Sequence, residues 1–295
     1  MASLKDIQLK IVGIKKTAQI TQAMNMVAAA KLRGAQQRME DFRPYAEKFS
    51  GVMGELAGAG INPDAFPLMA ARPVKKVMLI LVTSDRGLCG SFNANLIKAA
   101  GRFLKTQQEE GREGCLACVG KKGNAFFKKS PFETLHSSVG IMDNIQMFNA
   151  RQVGQEVIKL FLEERVDEVQ LIYGRFINVA VQRPTMNRIL PISTEGLEEA
   201  EGGGADEGPK ATYTYEPDPE EILNNLLPMF VNVQIMHAML ETGASEQASR
   251  MTAMDNATRA CKDMIDDLTM VFNKARQSAI TAELMDIVGG AEALK

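Results

Sequence analysis

The sequence predicts an antiparallel two-helix left-handed coiled coil, built from the two ends of the chain, with a central Rossmann-like α/β domain between them. Three observations carry this. Both ends hold long stretches whose apolar and small residues recur at alternating steps of three and four, the spacing of a helix with one seam. The middle alternates short continuous apolar runs with helical segments, the pattern of a mainly parallel sheet. Aromatics are only 6% with Trp absent, while apolar residues reach 45%, which suits packed helices better than a β-sandwich. The expected bounds are 1–58 for the first coiled-coil helix, 74–216 for the α/β domain and 218–295 for the last helix.

Ser3 and Asp6 form a capping-box-like pair at the start of the first helix. Its seam runs Leu4, Ile7, Ile11, Ile14, Ala18, Thr21, Asn25, Ala28, Leu32, Ala35, Met39, Phe42, with only Thr21 and Asn25 polar. Between Ala18 and Ala30 the helix is apolar well beyond that seam, through Ile20, Ala23, Met24, Met26, Val27, Ala29 and Ala30. A helix apolar on several faces is expected to meet more than one partner. Pro44 is expected to kink the helix or start a new one. The helix should end near Ala57, before GAGINPDAFP.

Val74–Thr83 reads as a buried strand leading through SDRGLCGSFN into a helix at about Asn93–Glu110. A second strand at Cys115–Val119 leads into a helix around KKGNAFFKK, and a third helix covers roughly Arg151–Glu164. Strands are expected at Glu168–Tyr173, Phe176–Gln182, Arg188–Ile192 and Ala211–Tyr215. LEEAEGGGADEGPK reads as an acidic surface loop.

The last helix has a clear start: Asp218 can cap it, Pro219 takes the first helical position, and Glu220 and Glu221 complement the positive end of the dipole. Pro228 predicts a kink. The seam continues as Ala244, Ala248, Met251, Asp255, Thr258, Cys261, Ile265, Leu268, Phe272, Ala275, Ala279, Ala282. Asp255 is its odd member. The first helix enters the central domain by its C-terminal end, and the last helix leaves it by its N-terminal end, so the two must pair antiparallel. The last helix is longer by roughly 20 Å at about 1.5 Å per residue. Its tip, Ile280–Leu294, should project alone, and an apolar rod end needs something to enclose it.

Charge and chemistry narrow the function. The net charge is −2, which implies neither nucleic acid nor an acidic membrane surface as a partner. Residues 1–48 nevertheless carry nine Lys and Arg against four acids, while Glu195–Glu221 holds ten acids and one Lys. No secretory leader or membrane-spanning run is evident. Cys115 and Cys118 form a CxxC, but on a strand residues three apart point to opposite faces, so neither a metal nor a redox pair is expected. SDRGLCG lacks the Gly-Lys-Ser/Thr of a phosphate loop and reads as a tight strand-to-helix turn, with no cofactor expected. Ser84, Cys89 and His136 show no nucleophile elbow, so no catalytic residues are assigned.

ITQAMNMVAAAKLR (Ile20–Arg33), TSDRGLCG (Thr83–Gly90), ASEQASRMTAMDNA (Ala244–Ala257) and NKARQSAITAELMDIVGGA (Asn273–Ala291) closely resemble the gamma subunit of F-type ATP synthases of the bacterial type. That family's terminal signature is met by Ile280, Thr281, Glu283, Asp286, Gly290 and Ala291. The resemblance spans essentially the whole chain and is strongest in the two helices. It implies a non-catalytic rotary shaft that couples ion-driven rotation to conformational cycling of the catalytic subunits, reversible to ATP hydrolysis. The implied partners are the alpha and beta subunits of the catalytic ring, the epsilon subunit and the membrane rotor ring. The implied place is peripheral, at the cytoplasmic face of the inner membrane, without direct insertion. Contacts to the beta subunits carry over onto Met24, Arg276 and Gln277. Some plastid members hold a regulatory cysteine pair before the last strand; Glu195–Lys210 here contains no Cys, which excludes thiol control there. The alternatives are a coiled-coil adaptor and a nucleotide-binding α/β enzyme.

Overall fold

The computed structural model describes residues 3–58, 65–193 and 219–292. Helix α1 runs Leu4–Gly58, opened by the reciprocal pair expected from Ser3 and Asp6. The Ser3 backbone donates to Asp6 Oδ2 at 3.1 Å, and the Asp6 backbone donates to Ser3 Oγ at 3.2 Å. Accepting from Ser3 holds the Asp6 carboxyl below its ordinary pKa. The central elements follow as β1 (Lys76–Val82), α2 (Phe92–Glu109), β2 (Glu113–Val119), α3 (Lys121–Phe127), β3 (Glu133–Ser138), α4 (Met147–Leu162), β4 (Glu168–Phe176) and β5 (Gln182–Leu190). The last helix, α5, runs Pro219–Glu292. Neither Pro44 nor Pro228 ends its helix.

The chain divides into two compact units, Met1–Ala29 with Arg250–Lys295, and Ala30–Ser249. In the first, α1 and α5 pair antiparallel: Thr21 meets Thr258, and further along α1 Asn25 reaches back to Met251. The seam positions are the sheltered ones. Ile7 and Ala28 are buried, as is Thr258, and Leu4, Ile11, Ile14, Ala18, Cys261, Ile265, Leu268, Phe272, Ala275 and Ala279 are half-buried. Met254 is also buried, a seam member that the spacing did not nominate. Residues 280–291 of α5 are exposed throughout.

In the second unit the sheet order is β3-β2-β1-β4-β5, with β3, β2, β1 and β4 parallel and β5 antiparallel to β4. Alternation along β1 sends Met78, Ile80 and Val82 to one face and Leu79 and Leu81 to the other. The first face packs with α4 and with the basal parts of α1 (Ala35, Met39, Met53) and α5 (Leu223 to Ala244). The second packs with Leu96, Ala100 and Leu104 of α2 and with Phe127 of α3. Cys115 lies in the first core and Cys118 in the second, as strand geometry requires.

Three expectations are corrected. Phe176–Gln182 and Arg188–Ile192 are not separate strands: β4 continues to Phe176, β5 spans Gln182–Leu190, and residues 177–181 form the turn. Its β-branched residues imitate a strand, but Asn178 Oδ1 accepts the N–H groups of Ala180 and Val181 at 2.9 and 2.8 Å and bends the chain there. The edge strand β3, ETLHSS, was missed because it is polar and half-exposed. Helix α4 begins at Met147, four residues before Arg151, behind a capping box formed by Gln146 and Asn149. The expected strand Ala211–Tyr215, the loop Glu195–Lys210 and the Asp218 cap lie outside the described residues.

Candidate functional site

The residues singled out for partner contact all lie on the two-helix coil. Met24 sits half-buried beside the α1 seam. Arg276 and Gln277 are exposed on α5, next to the half-buried seam residue Ala275. The Gln277 carbonyl accepts the Thr281 hydroxyl at 2.9 Å, a back-bond inside the helix that leaves the Gln277 side chain uncommitted to it. The Thr21–Thr258 register sets Met24 level with the neighbourhood of Asp255, and Arg276 and Gln277 level with the first turn of α1. The two groups are therefore not brought together; they stand roughly 30 Å apart along the coil at about 1.5 Å per residue.

Around them the outside of the coil carries exposed apolar residues among its charges. On α1, Leu9, Val12, Ile20, Met26 and Val27 are 45–61% exposed. The second partner expected for this stretch is thus not supplied by any described residue of the chain. On α5, Met264, Met270 and Val271 add exposed apolar surface that seam-based reasoning overlooked; their off-seam spacing was the available signal. At the end of α5, Ile280, Leu284, Met285, Ile287 and Val288 are exposed on successive faces. A stripe of this kind, unlike scattered surface leucines, marks an interaction surface.

The SDRGLCG turn is built differently from an anion site. Asp85 Oδ1 accepts the N–H groups of Lys121 at 2.8 Å and Gly140 at 2.9 Å, and Asp85 Oδ2 accepts that of Met142 at 2.9 Å. The donors that open α3 and follow β3 are thereby committed to a carboxylate of the chain itself. Gly120 has φ +97°, and a Cβ there would lie 2.0 Å from the Thr83 carbonyl oxygen, so only glycine fits against the end of β1. The Ser84 hydroxyl donates to the Arg86 carbonyl at 2.6 Å and packs against the Asn93 amide. His136 pairs with Ser138 at 2.9 Å. The Asn93 amide donates to both Ser84 Oγ at 2.7 Å and Cys89 Sγ at 3.1 Å, while His136 is engaged apart from them, with Ser138. Burial pushes the Cys115 thiol up to about 12 and the Cys118 thiol up to about 11, so both stay protonated and inert. Among the described residues no group of three or more His, Cys, Asp or Glu is placed to hold a metal ion.

The comparisons with known proteins agree with one another. A family model described as ATP synthase matches residues 3–294. The ATP synthase gamma chain of Desulfotalea psychrophila is 53% identical over 295 residues, and that of Nitratidesulfovibrio vulgaris is 52% identical over 296, each match covering all of both chains. This chain belongs to the ATP synthase gamma chain family. Among solved structures, a chain of the Tetrahymena thermophila mitochondrial ATP synthase central stalk and c-ring is similar with TM-score 0.59 and 27% identity, over 81% of this chain and 99% of that one. A chain of the Euglena gracilis mitochondrial ATP synthase shares the fold with TM-score 0.67 at 20% identity, over 99% and 94% of the two chains. Family membership accounts for the central-stalk architecture seen here: two long terminal helices and a mixed five-stranded sheet.

Proposed function

We propose that this gamma chain is the central rotary shaft of an F-type ATP synthase. The observation that carries the proposal is the end of α5, where every residue from Ile280 to Ala291 is exposed although Ile280, Leu284, Met285, Ile287 and Val288 are apolar. A helix end apolar on successive faces is costly to leave in water. It suits a sleeve that surrounds it, and contacts without direction let a rod turn inside one. A ring of alternating alpha and beta subunits supplies such a sleeve. Met24, Arg276 and Gln277 would then touch the beta subunits at two heights, and the basic face of α1 would meet acidic surface on them. Exposed charge contacts are individually weak, which suits a surface that must release and re-engage.

The sheet-bearing unit would be the part bound to the epsilon subunit and the membrane rotor ring. Ion flow turns the rotor, the asymmetric coil drives the beta subunits through their states, and hydrolysis runs the cycle backwards. The chain itself carries no chemistry in this scheme. It sits peripherally at the cytoplasmic face of the inner membrane; no described helix is long and apolar enough to cross one. The test is direct. The catalytic ring is immobilised, a bead is fixed to the sheet-bearing unit, and ATP is added. Unidirectional, ATP-dependent rotation is expected. A static bead on an ATP-hydrolysing ring overturns the shaft and leaves a coiled-coil adaptor.

A further inference from the structure

Strand β4 outlasts its neighbour. The parallel pairing of β1 with β4 stops at Leu81 and Ile172, yet β4 runs on to Phe176. On the other side β5 stays paired along this stretch, with Gly174 opposite Pro184 and Phe176 opposite Gln182. The backbone groups that β1 would have taken are therefore orphaned at Gly174 and Phe176, where leaving them buried and unpaired would be costly.

Helix α5 takes the place of the missing strand with side chains. The Gly174 N–H donates to Thr242 Oγ1 at 3.2 Å, and the Gly174 carbonyl accepts the Ser245 hydroxyl at 2.8 Å. The Phe176 N–H donates to Glu241 Oε2 at 2.6 Å. One helical turn on, the Ser249 hydroxyl donates to the Cys89 carbonyl at 2.9 Å, in the loop that leaves β1. Glu241 is itself almost fully buried, with Arg43 of α1 and His237 of α5 each 3.6 Å from its Oε1. A Cβ on Gly174 would lie 2.5 Å from the ring of Phe92, which opens α2, and 3.6 Å from Ser245 Cβ of α5, so glycine there makes room for α2 while α5 sits at ordinary contact distance.

We infer that Glu241, Thr242, Ser245 and Ser249 form a torque clamp, the set of positioning residues through which load passes between α5 and the sheet. Apolar contacts resist separation but allow sliding and twisting; hydrogen bonds have direction and resist both. Elsewhere in this unit α5 meets the sheet through the apolar side chains of the core, such as Ile235, Ala238 and Met239. The polar face Glu241–Ser249 is where that interface becomes directional. Arg43 ties α1 to the same carboxylate, so both long helices share the anchor.

The clamp matters only if the chain is the shaft proposed above, and the experiment separates the two ideas. In the assembled complex, a bead on the sheet-bearing unit is watched at stall, and the variance of its angle is compared between the unsubstituted chain and Thr242→Val with Ser245→Ala. These changes remove the bonds to Gly174 while keeping side-chain size close to the original. If the bonds act as parallel springs, the angular variance rises about twofold. Leu227→Ala, a buried core change away from the clamp, serves as the control for lost stability and should leave the variance unchanged. Equal variance in the clamp variant and the unsubstituted chain overturns the clamp, as does an equal rise in the control. A bead that fails to rotate on the unsubstituted chain overturns the shaft instead. Should the double variant fail to assemble, the isosteric Thr242→Val alone is measured, with the variance expected to rise by about a third on the same spring count and an unchanged variance overturning the clamp.

Discussion

The hydroxyl oxygens of Thr21 and Thr258 lie 2.8 Å apart across the seam of the two-helix coil. Each is also tied to its own helix, Thr21 to the Ala18 carbonyl at 3.1 Å and Thr258 to the Met254 carbonyl at 2.8 Å. One turn along α1, the Asn25 amide donates to the Met251 carbonyl at 2.8 Å. A seam of small and aliphatic residues can slip by a turn at little cost; polar pairs that match only in one alignment hold the register.

Asn25 therefore separates stability from register. Asn25→Leu should stabilise the isolated chain by up to about 1 kcal/mol, since an apolar residue suits a half-buried seam position. Asn25→Asp should destabilise it by about 1–3 kcal/mol, because it turns an acceptor towards the Met251 carbonyl. Urea unfolding of the two variants checks both signs.

The Arg276 and Gln277 side chains are exposed on α5, where substitution is expected to cost the fold little. Replacing both by Ala should change the stability of the isolated chain by no more than about 0.5 kcal/mol. In the reconstituted complex, assembly should persist while ATP hydrolysis or its coupling weakens. Unchanged turnover and coupling would remove both residues from the partner surface.

The acid limb of stability has an identifiable contributor in Asp167. Burial pushes its carboxyl up, but the N–H groups of Lys76 and Lys75, each at 2.9 Å, and the Arg72 guanidinium at 2.8 Å outweigh it and hold the pKa below the ordinary value. A carboxyl depressed in the fold stabilises above its unfolded pKa, near 4, and that contribution is lost as pH falls towards the folded value. Asp167→Asn should cost about 1–2 kcal/mol at neutral pH, with the difference from the unsubstituted chain shrinking below about pH 4. Denaturant titrations at pH 7 and pH 3 test this.

Thiol reactivity should divide the cysteines sharply. Cys89, Cys115 and Cys118 are buried, whereas Cys261 is half-buried on the coil. Iodoacetamide at neutral pH should label Cys261 alone in the folded chain and all four only after denaturation, as read by mass spectrometry. Early labelling of Cys115 or Cys118 would contradict their double burial within the sheet.

What could be read beforehand follows from where the information lies. The seams of α1 and α5 were legible because period and burial are the same fact in a long helix: Ile7, Ala28 and Thr258 could be placed inside without a structure. The opposite facing of Cys115 and Cys118 was legible for the same reason. β3 was not, since an edge strand of polar residues carries little period-two signal, and Asn178 makes a turn out of residues that favour strands. The roles of Asp85, Glu241 and Thr242 were hidden more deeply. Each bonds backbone groups distant in the chain, and nothing in the local pattern distinguishes such a residue from one facing solvent. On the outside of the coil, Ile20, Met26 and Val27 stand out because apolar residues exceed what one seam requires. Met264, Met270 and Val271 were lost among the charges of the same helix.

The Asp85 carboxylate has a consequence for specificity. Its three backbone bonds hold a negative group against the N–H groups of Lys121, at the start of α3, and of Gly140 and Met142, after β3, donors that could otherwise face an anion. A free nucleotide would have to displace an aspartate that belongs to the chain and repels it. Asp85 thus carries to those two neighbouring segments an anion that is covalently part of the chain. In the shaft proposed above, these segments would therefore compete poorly for the nucleotide of the catalytic ring.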